Sequence, residues 1–241
     1  RMIRVYDPEI NLSHSIKFEL PHDTMFIDNS LFRINAPDEF VVGIDLFEPS
    51  AYYNPVIRIG REGKTAFLQK ELRLKFFETY RRDYSKVQYC LCDSSLIVIP
   101  QNEPFYYDIP LGKGVFSRSR LPDGIETEEN PHTNELNNAA EIKSNNFQKN
   151  TAFLWSLCDR SGIRLIQRIV DKSKAPPSTT YKIYSMNVRD RLLSVSDSLS
   201  WLPEFQFVQH MSHQDTLFLL KDQVLYKYVF TFRAPPSEAE H

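Results

Sequence analysis

The stretch that decides the predicted fold is residues 53–100, YNPVIRIGREGKTAFLQKELRLKFFETYRRDYSKVQYCLCDSSLIVIP. Two apolar runs, 55–59 and 64–68, flank four residues, 60–63, whose length suits a β-hairpin loop. A stripe of apolar side chains follows at helical spacing. It consists of Leu72, Phe76, Tyr80 and Tyr84. Residues 89–99 are again typical of a strand, so the stretch predicts a β-β-α-β unit.

The same patterns extend in both directions along the chain. Strands are predicted at 14–20, 39–47, 163–170, 181–186, 216–220 and 224–232. A helix is expected over 188–202, since apolar residues keep helical spacing there, Asn187 is a suitable N-cap and Pro203 ends the segment. Residues 147–158 favour a further helix. The predicted fold class is α+β, mainly antiparallel sheet with two or three amphipathic helices.

A polar, acidic segment suggests the domain organisation. Residues 117–146 contain few apolar side chains to bury, which is typical of a long loop, a partner-ordered segment or a linker. We expect a β-rich lobe over 1–116 and an α+β lobe over 147–233, each with strand-helix-strand order. Residues 234–241 are expected to be a flexible tail.

Composition narrows the function classes. The chain has 241 residues, 41% of them hydrophobic and 25% charged, which indicates a folded chain. Only seven residues are glycine, and no phosphate-binding glycine motif is present, which disfavours nucleotide-dependent enzymes. No apolar run reaches the length of about 18 residues that a membrane span needs. No Cys or His spacing is typical of a metal site, so neither a metal nor a cofactor is expected.

The cysteines bear on the compartment. There are three of them, Cys90, Cys92 and Cys158, an odd number without a CxxC pair. We therefore expect all three to be reduced and mostly buried. With no apolar signal segment at the N-terminus, this predicts an intracellular location, in cytoplasm or nucleus, or a place in a virion.

Charge is concentrated in one part of the chain. Residues 58–86 contain nine Lys and Arg against four Asp and Glu, a net charge of +5 in a chain whose total is −2. Cations on a hairpin and a helix, with aromatic side chains nearby, suit a single-stranded nucleic acid. The candidate binding residues are Arg58, Arg61, Lys64, Lys70, Arg73, Arg81 and Arg82, with Tyr52, Tyr53 or Tyr84 as stacking partners. Such binding weakens steeply with salt.

Residues 56–84, a basic hairpin that runs into an aromatic helix, distantly resemble a unit of the Whirly-type and Pur-type single-strand-binding proteins. The resemblance covers about thirty residues and includes no invariant motif. It implies a dimer that binds unpaired nucleic acid on a curved sheet.

Three function classes remain open. The first is a non-catalytic binding module for single-stranded nucleic acid, although a basic helix face is more often simply solvated. The second is a structural or assembly protein whose aromatic strands contact copies of itself or a protein partner. The third is an enzyme with a site assembled only in space, which a buried cleft with a histidine beside a carboxylate would support.

Overall fold

The computed structural model describes residues 1–7, 9–21, 25–35, 38–46, 56–69, 87–92, 94–100, 103–112, 115–125, 151–159, 162–187, 192–196, 207–210, 216–221, 223–229 and 232–233. These residues form eighteen strands and no helix, and every strand pair among them is antiparallel. The chain divides into two compact units, Arg1–Asp83 and Tyr84–His241.

The first unit contains a two-stranded and a four-stranded sheet. The strands are β1 (Met2–Tyr6), β2 (Leu12–Lys17), β3 (Met25–Asn35), β4 (Glu39–Leu46), β5 (Val56–Ile59) and β6 (Thr65–Gln69). β3 to β6 follow one another across the sheet in chain order, which makes an antiparallel meander. Ile3, Ile16 and Phe18 pack with the buried side chains of β4 and β5, so one face of the β1–β2 ribbon belongs to this core.

The second unit contains three sheets. The first sheet consists of β7 (Val87–Cys92), β8 (Ser95–Pro100), β9 (Phe105–Pro110) and β10 (Ser117–Arg120). The next consists of β11 (Ala152–Asp159), β12 (Gly162–Asp171), β13 (Ser178–Met186) and β14 (Leu192–Ser196), with β18 (Phe232–Arg233) added beside β14. The third consists of β15 (Phe207–His210), β16 (Thr216–Lys221) and β17 (Val224–Val229).

A disulfide joins the first strands of the two larger sheets. Cys92 on β7 is bonded to Cys158 on β11, with 5.4 Å between their Cα atoms. Two residues earlier on each strand, the Cys90 thiol lies beside the buried side chain of Ser156. The step from Cys92 back to Cys90 on β7 matches the step from Cys158 back to Ser156 on β11. The two strands therefore run side by side in the same direction.

The buried residues between these two sheets form one apolar cluster. It includes Ile97, Ile99, Tyr106, Phe153, Ile163, Leu165, Tyr184 and Met186. Gly162 has a φ of +138°, and a Cβ atom there would overlap the carbonyl oxygen of Met186. Only glycine therefore fits where β12 begins beside the end of β13.

The predicted α+β class is wrong for the described residues. β11 lies where a helix was expected over 147–158, because a continuous apolar run does not distinguish a strand from a buried helix. β14 lies inside the helix expected over 188–202. There Val195 pairs with Tyr184 of β13, and the Ser196 hydroxyl accepts a hydrogen bond from the Ile183 N–H at 2.9 Å. Sheet pairing outweighs the helical spacing in this segment.

Several strand predictions are confirmed. β5 and β6 flank the expected turn, β16 and β17 form the expected hairpin, and β12 and β13 cover 163–170 and 181–186. The helix expected over 72–84 lies outside the described residues. So do residues 126–150, and the predicted linker stays a prediction there.

Candidate functional site

The structure describes three of the ten residues predicted to bind nucleic acid. Arg58 is on β5, and Arg61 and Lys64 belong to the turn that leads to β6. The other seven lie outside the described residues. They are Tyr52, Tyr53, Lys70, Arg73, Arg81, Arg82 and Tyr84.

The turn itself is closely fixed. The Gly60 N–H donates to the Lys64 carbonyl at 2.9 Å, and the Gly63 N–H donates to the Gly60 carbonyl at 2.8 Å. Gly63 has a φ of +77°, and a Cβ atom there would overlap the carbonyl oxygen of Lys17. Glycine is therefore required, both for the left-handed backbone and for the close approach of the turn to the end of β2.

Two of the three described cations are next to a carboxylate. The Arg58 guanidinium donates to the Glu39 carboxylate on the neighbouring strand β4. The Lys64 ammonium lies 2.8 Å from the Glu62 carboxylate, and both of these side chains are largely exposed. An exposed pair of this kind contributes little to stability, but it partly neutralises the charge available to a phosphate.

A cleft of about 500 Å³ opens beside this turn. Its lining consists of Arg1, Lys17, Phe18, Glu19, Glu62, Gly63, Lys64 and Thr65. The lining carries both signs of charge, and its aromatic member, Phe18, is buried in the core of the first unit. The cleft thus provides neither a purely cationic track nor an exposed ring for base stacking.

The structure brings together a serine, a histidine and an aspartate that sequence reasoning missed. In the β1–β2 register Val5 pairs with His14 and Tyr6 with Leu12, which leaves Ser13 in a bulge. The Ser13 hydroxyl lies 3.1 Å from Nδ1 of His14, and Nε2 of His14 lies 2.9 Å from a carboxylate oxygen of Asp38. No sequence signal announces this group, because Asp38 lies 24 positions beyond His14 and meets it only in space.

These residue types are those of an acyl-transfer triad, but the geometry differs from that of one. Nε2 of His14 is buried and lies close to Asp38, but it makes no hydrogen bond of suitable geometry with any residue that the structure describes. The described cleft is lined by other residues. The contact instead joins β2 to the start of β4, with the Asp38 side chain 3% exposed and the His14 side chain 38% exposed. We interpret it as a structural polar contact.

Apolar side chains are exposed at two places on the described strands. On β17 the exposed fractions are 50% for Val224, 63% for Leu225, 37% for Tyr226 and 71% for Val229. On the β1–β2 ribbon Met2, Tyr6 and Leu12 are exposed, and Tyr6 and Leu12 are paired opposite each other. We call these the β17 surface and the β1–β2 surface.

The cysteine prediction is wrong for two of three residues. Cys92 and Cys158 form the disulfide, and Cys90 alone is free and buried. Burial raises the pKa of the Cys90 thiol to about 12, although the neighbouring Ser156 side chain acts in the opposite direction. A buried thiol of this kind is not a reactive nucleophile at neutral pH.

Within the described part of the chain, no group of three or more His, Cys, Asp or Glu side chains is placed to hold a metal ion. The same part contains no helix with the length and apolar character needed to cross a membrane.

Comparison with known proteins adds little. No family model matches the chain, and no curated protein matches it. A solved structure of a candidate glycosidase from Bacteroides thetaiotaomicron has a TM-score of 0.39 and 10% sequence identity to this chain. The match covers 78% of this chain but 61% of the other, so the chain spans less than two thirds of that structure. A likeness of this size shows neither a shared fold nor a shared activity.

Proposed function

We propose that the chain is a non-catalytic binding module that acts in assembly, through contacts of its exposed strands with copies of itself or with a protein partner. The observation that supports this most strongly is the β17 surface. Four of the six β17 residues are large and apolar, and each has more than a third of its surface exposed. A group of exposed apolar side chains of this kind is typical of an association site.

Association at the β17 surface is favourable because exposure of its apolar side chains to water costs free energy. Burial of apolar area contributes roughly 25 cal/mol per Å². A partner that covers the exposed apolar side chains of β17 therefore gains from their burial.

The β1–β2 surface is a second association site of the same kind. Tyr6 and Leu12 face outward from neighbouring strands, while Ile3 and Ile16 on the opposite face are buried in the core. Aromatic side chains such as Tyr6 are enriched at protein interfaces. Each of the two units thus carries an exposed apolar surface among its described strands.

The disulfide bears on where such assembly takes place. Bonds of this type persist in oxidising surroundings and on virion surfaces, and they are rare in cytoplasm and nucleus. Among the locations predicted from the sequence, the Cys92–Cys158 bond therefore favours a virion over a reducing compartment.

Sedimentation velocity tests the assembly proposal. We expect the mass to rise above the monomer value of 28.3 kDa as the chain is concentrated from about 1 to about 100 µM, the range in which weak association becomes visible. Lysine substitutions on both surfaces together, Tyr6→Lys with Leu225→Lys, should reduce the association. A mass that stays at the monomer value over the whole range would contradict self-assembly.

Binding of single-stranded nucleic acid is a second candidate. Arg61 at the tip of the β5–β6 turn is exposed and Lys17 lines the neighbouring cleft, which supports it. The carboxylates beside Arg58 and Lys64 count against it. Absence of oligonucleotide binding at about 50 mM salt, where phosphate contacts are strong, would dismiss this candidate.

A further inference from the structure

We propose that Asn11 is an N-glycosylation site, which takes an oligosaccharide on its side-chain amide nitrogen in the oxidising lumen of a secretory pathway. Asn11, Leu12 and Ser13 form an Asn-x-Ser triplet without proline in the middle, which is the pattern that such a transfer needs. No other Asn-x-Ser or Asn-x-Thr triplet occurs in the sequence of 241 residues. The modification itself does not depend on the proposed role in assembly.

The first support is the place of the triplet in the fold. Asn11 lies in the turn between β1 and β2, Leu12 begins β2, and Ser13 is in the bulge of that ribbon. All three residues are exposed. A glycan is bulky and hydrated and is found on surface loops. The folded chain therefore has room for a glycan at this position.

The second support is that the amide of Asn11 is oriented without being buried. The Asn11 main-chain N–H donates to one carboxylate oxygen of Asp7 at 2.8 Å, and Nδ2 of Asn11 donates to the other at 3.3 Å. The Asp7 N–H donates to the Asn11 carbonyl at 3.0 Å, which closes the turn. A glycosylated amide keeps one N–H, so the modified side chain can still donate to Asp7.

The third support is the disulfide, which is independent of the triplet. A short sequence pattern matters only in a compartment where oligosaccharides are transferred to asparagine. The lumen in which this transfer takes place is also where disulfides form. The bond between Cys92 and Cys158 thus favours a compartment in which Asn11 can be modified. It also removes the premise of reduced cysteines on which the predicted intracellular location depends.

The transfer is a substitution at the anomeric carbon of the sugar. The donor is an oligosaccharide linked to a lipid through a diphosphate. The bond between the anomeric carbon and the phosphate oxygen breaks, and a bond from that carbon to Nδ2 of Asn11 forms. The amide nitrogen gives one proton to a base of the transferase. The lipid diphosphate leaves with the electron pair of the broken bond.

The position of the glycan has a consequence for the β1–β2 surface, and this consequence rests on the proposed role in assembly. Tyr6 and Leu12 are 50% and 54% exposed and lie opposite each other, and Ile10 in the turn is 80% exposed. A glycan attached one residue before Leu12 shields these apolar side chains. A glycosylated chain would then associate through its β17 surface and not through the β1–β2 surface.

Secretion of the full chain from a eukaryotic host tests the modification. We expect the wild-type chain to carry hexose and N-acetylhexosamine mass above its 28.3 kDa, and a peptide N-glycosidase should remove this mass. Asn11→Gln and Ser13→Ala should each lack the added mass. Ser13→Thr is the matched control, because it restores the hydroxyl that the triplet needs. Added mass that persists in Asn11→Gln would place the glycan elsewhere and overturn the inference.

The disulfide identifies the chains that have passed through the lumen. Mass spectrometry of unreduced peptides shows whether Cys92 and Cys158 are bonded. Chains with the bond formed and Asn11 unmodified would overturn the inference. Translation in the presence of microsomes gives the same two readouts for a chain that the cells do not secrete.

Sedimentation of the secreted chains tests the shielding of the β1–β2 surface. Tyr6→Lys should weaken the association of the unmodified Ser13→Ala chain and leave that of the glycosylated chain unchanged. An equal loss in both forms would mean that the glycan does not cover this surface. If neither form associates at any concentration, the assembly proposal fails while glycosylation of Asn11 stands.

Discussion

Two regions of the second unit differ sharply in how their apolar side chains are used. Between the sheets β7–β10 and β11–β14, residues such as Ile97, Leu165 and Tyr184 are completely buried, and a disulfide joins the two first strands. On β17, by contrast, apolar residues of similar size face solvent. The comparison shows that apolar composition alone does not reveal a strand's role. The first region stabilises the fold, and we propose that the second binds a partner.

Removal of the disulfide should have the largest effect on the first region. The bond links residues 66 positions apart, and a loop of that length corresponds to about 4 kcal/mol in the chain-entropy model. The double variant Cys92→Ala and Cys158→Ala should lose about this much unfolding free energy in denaturant titrations. A reductant should destabilise the wild-type chain in the same way and leave the double variant unchanged. Equal stability of the two chains without reductant would mean that the bond does not constrain the fold.

A matched pair of leucines measures the difference between the regions directly. Leu165→Ala removes a completely buried side chain and should cost about 2–5 kcal/mol of unfolding free energy. Leu225→Ala changes a side chain that is 63% exposed and should cost less than about 0.5 kcal/mol in the monomer. Both values come from denaturant midpoints at constant slope. A large loss for Leu225→Ala in the monomer would mean that β17 belongs to the core.

The sequence predicts strands well where the pattern is short and bounded by turn residues. The β5–β6 hairpin follows from two apolar runs around Gly60 and Gly63, and the β16–β17 hairpin from two runs around residues 221–223. The sequence-based prediction fails where the spacing of apolar residues fits both a helix and a strand. Val195 satisfies a helical pattern, yet its pairing with Tyr184 is decided by a strand that the local sequence does not contain.

The candidate site shows the same limit. The ion pair of Arg58 with Glu39 and the contact of His14 with Asp38 join positions that are far apart in the chain. The bond between Cys92 and Cys158 is also long-range, and an odd cysteine count argued against it. Charge counting along a segment cannot detect a carboxylate that a neighbouring strand supplies.

The smallest expected effect concerns the free thiol beside the disulfide. Burial raises the pKa of Cys90 from 9.0 to about 12. Between these values the folded chain keeps the proton while the unfolded chain loses it, so this contribution to stability is present below pH 9 and declines as the pH rises. The slope is about 1.4 kcal/mol per pH unit within that window. Unfolding free energies of the wild-type chain and of Cys90→Ala at pH 8, 9 and 10 isolate it from other groups, because only the wild-type chain carries this thiol. Parallel pH profiles of the two chains would show that Cys90 is accessible to water, and that the contact between β7 and β11 is less closed than the buried cluster indicates.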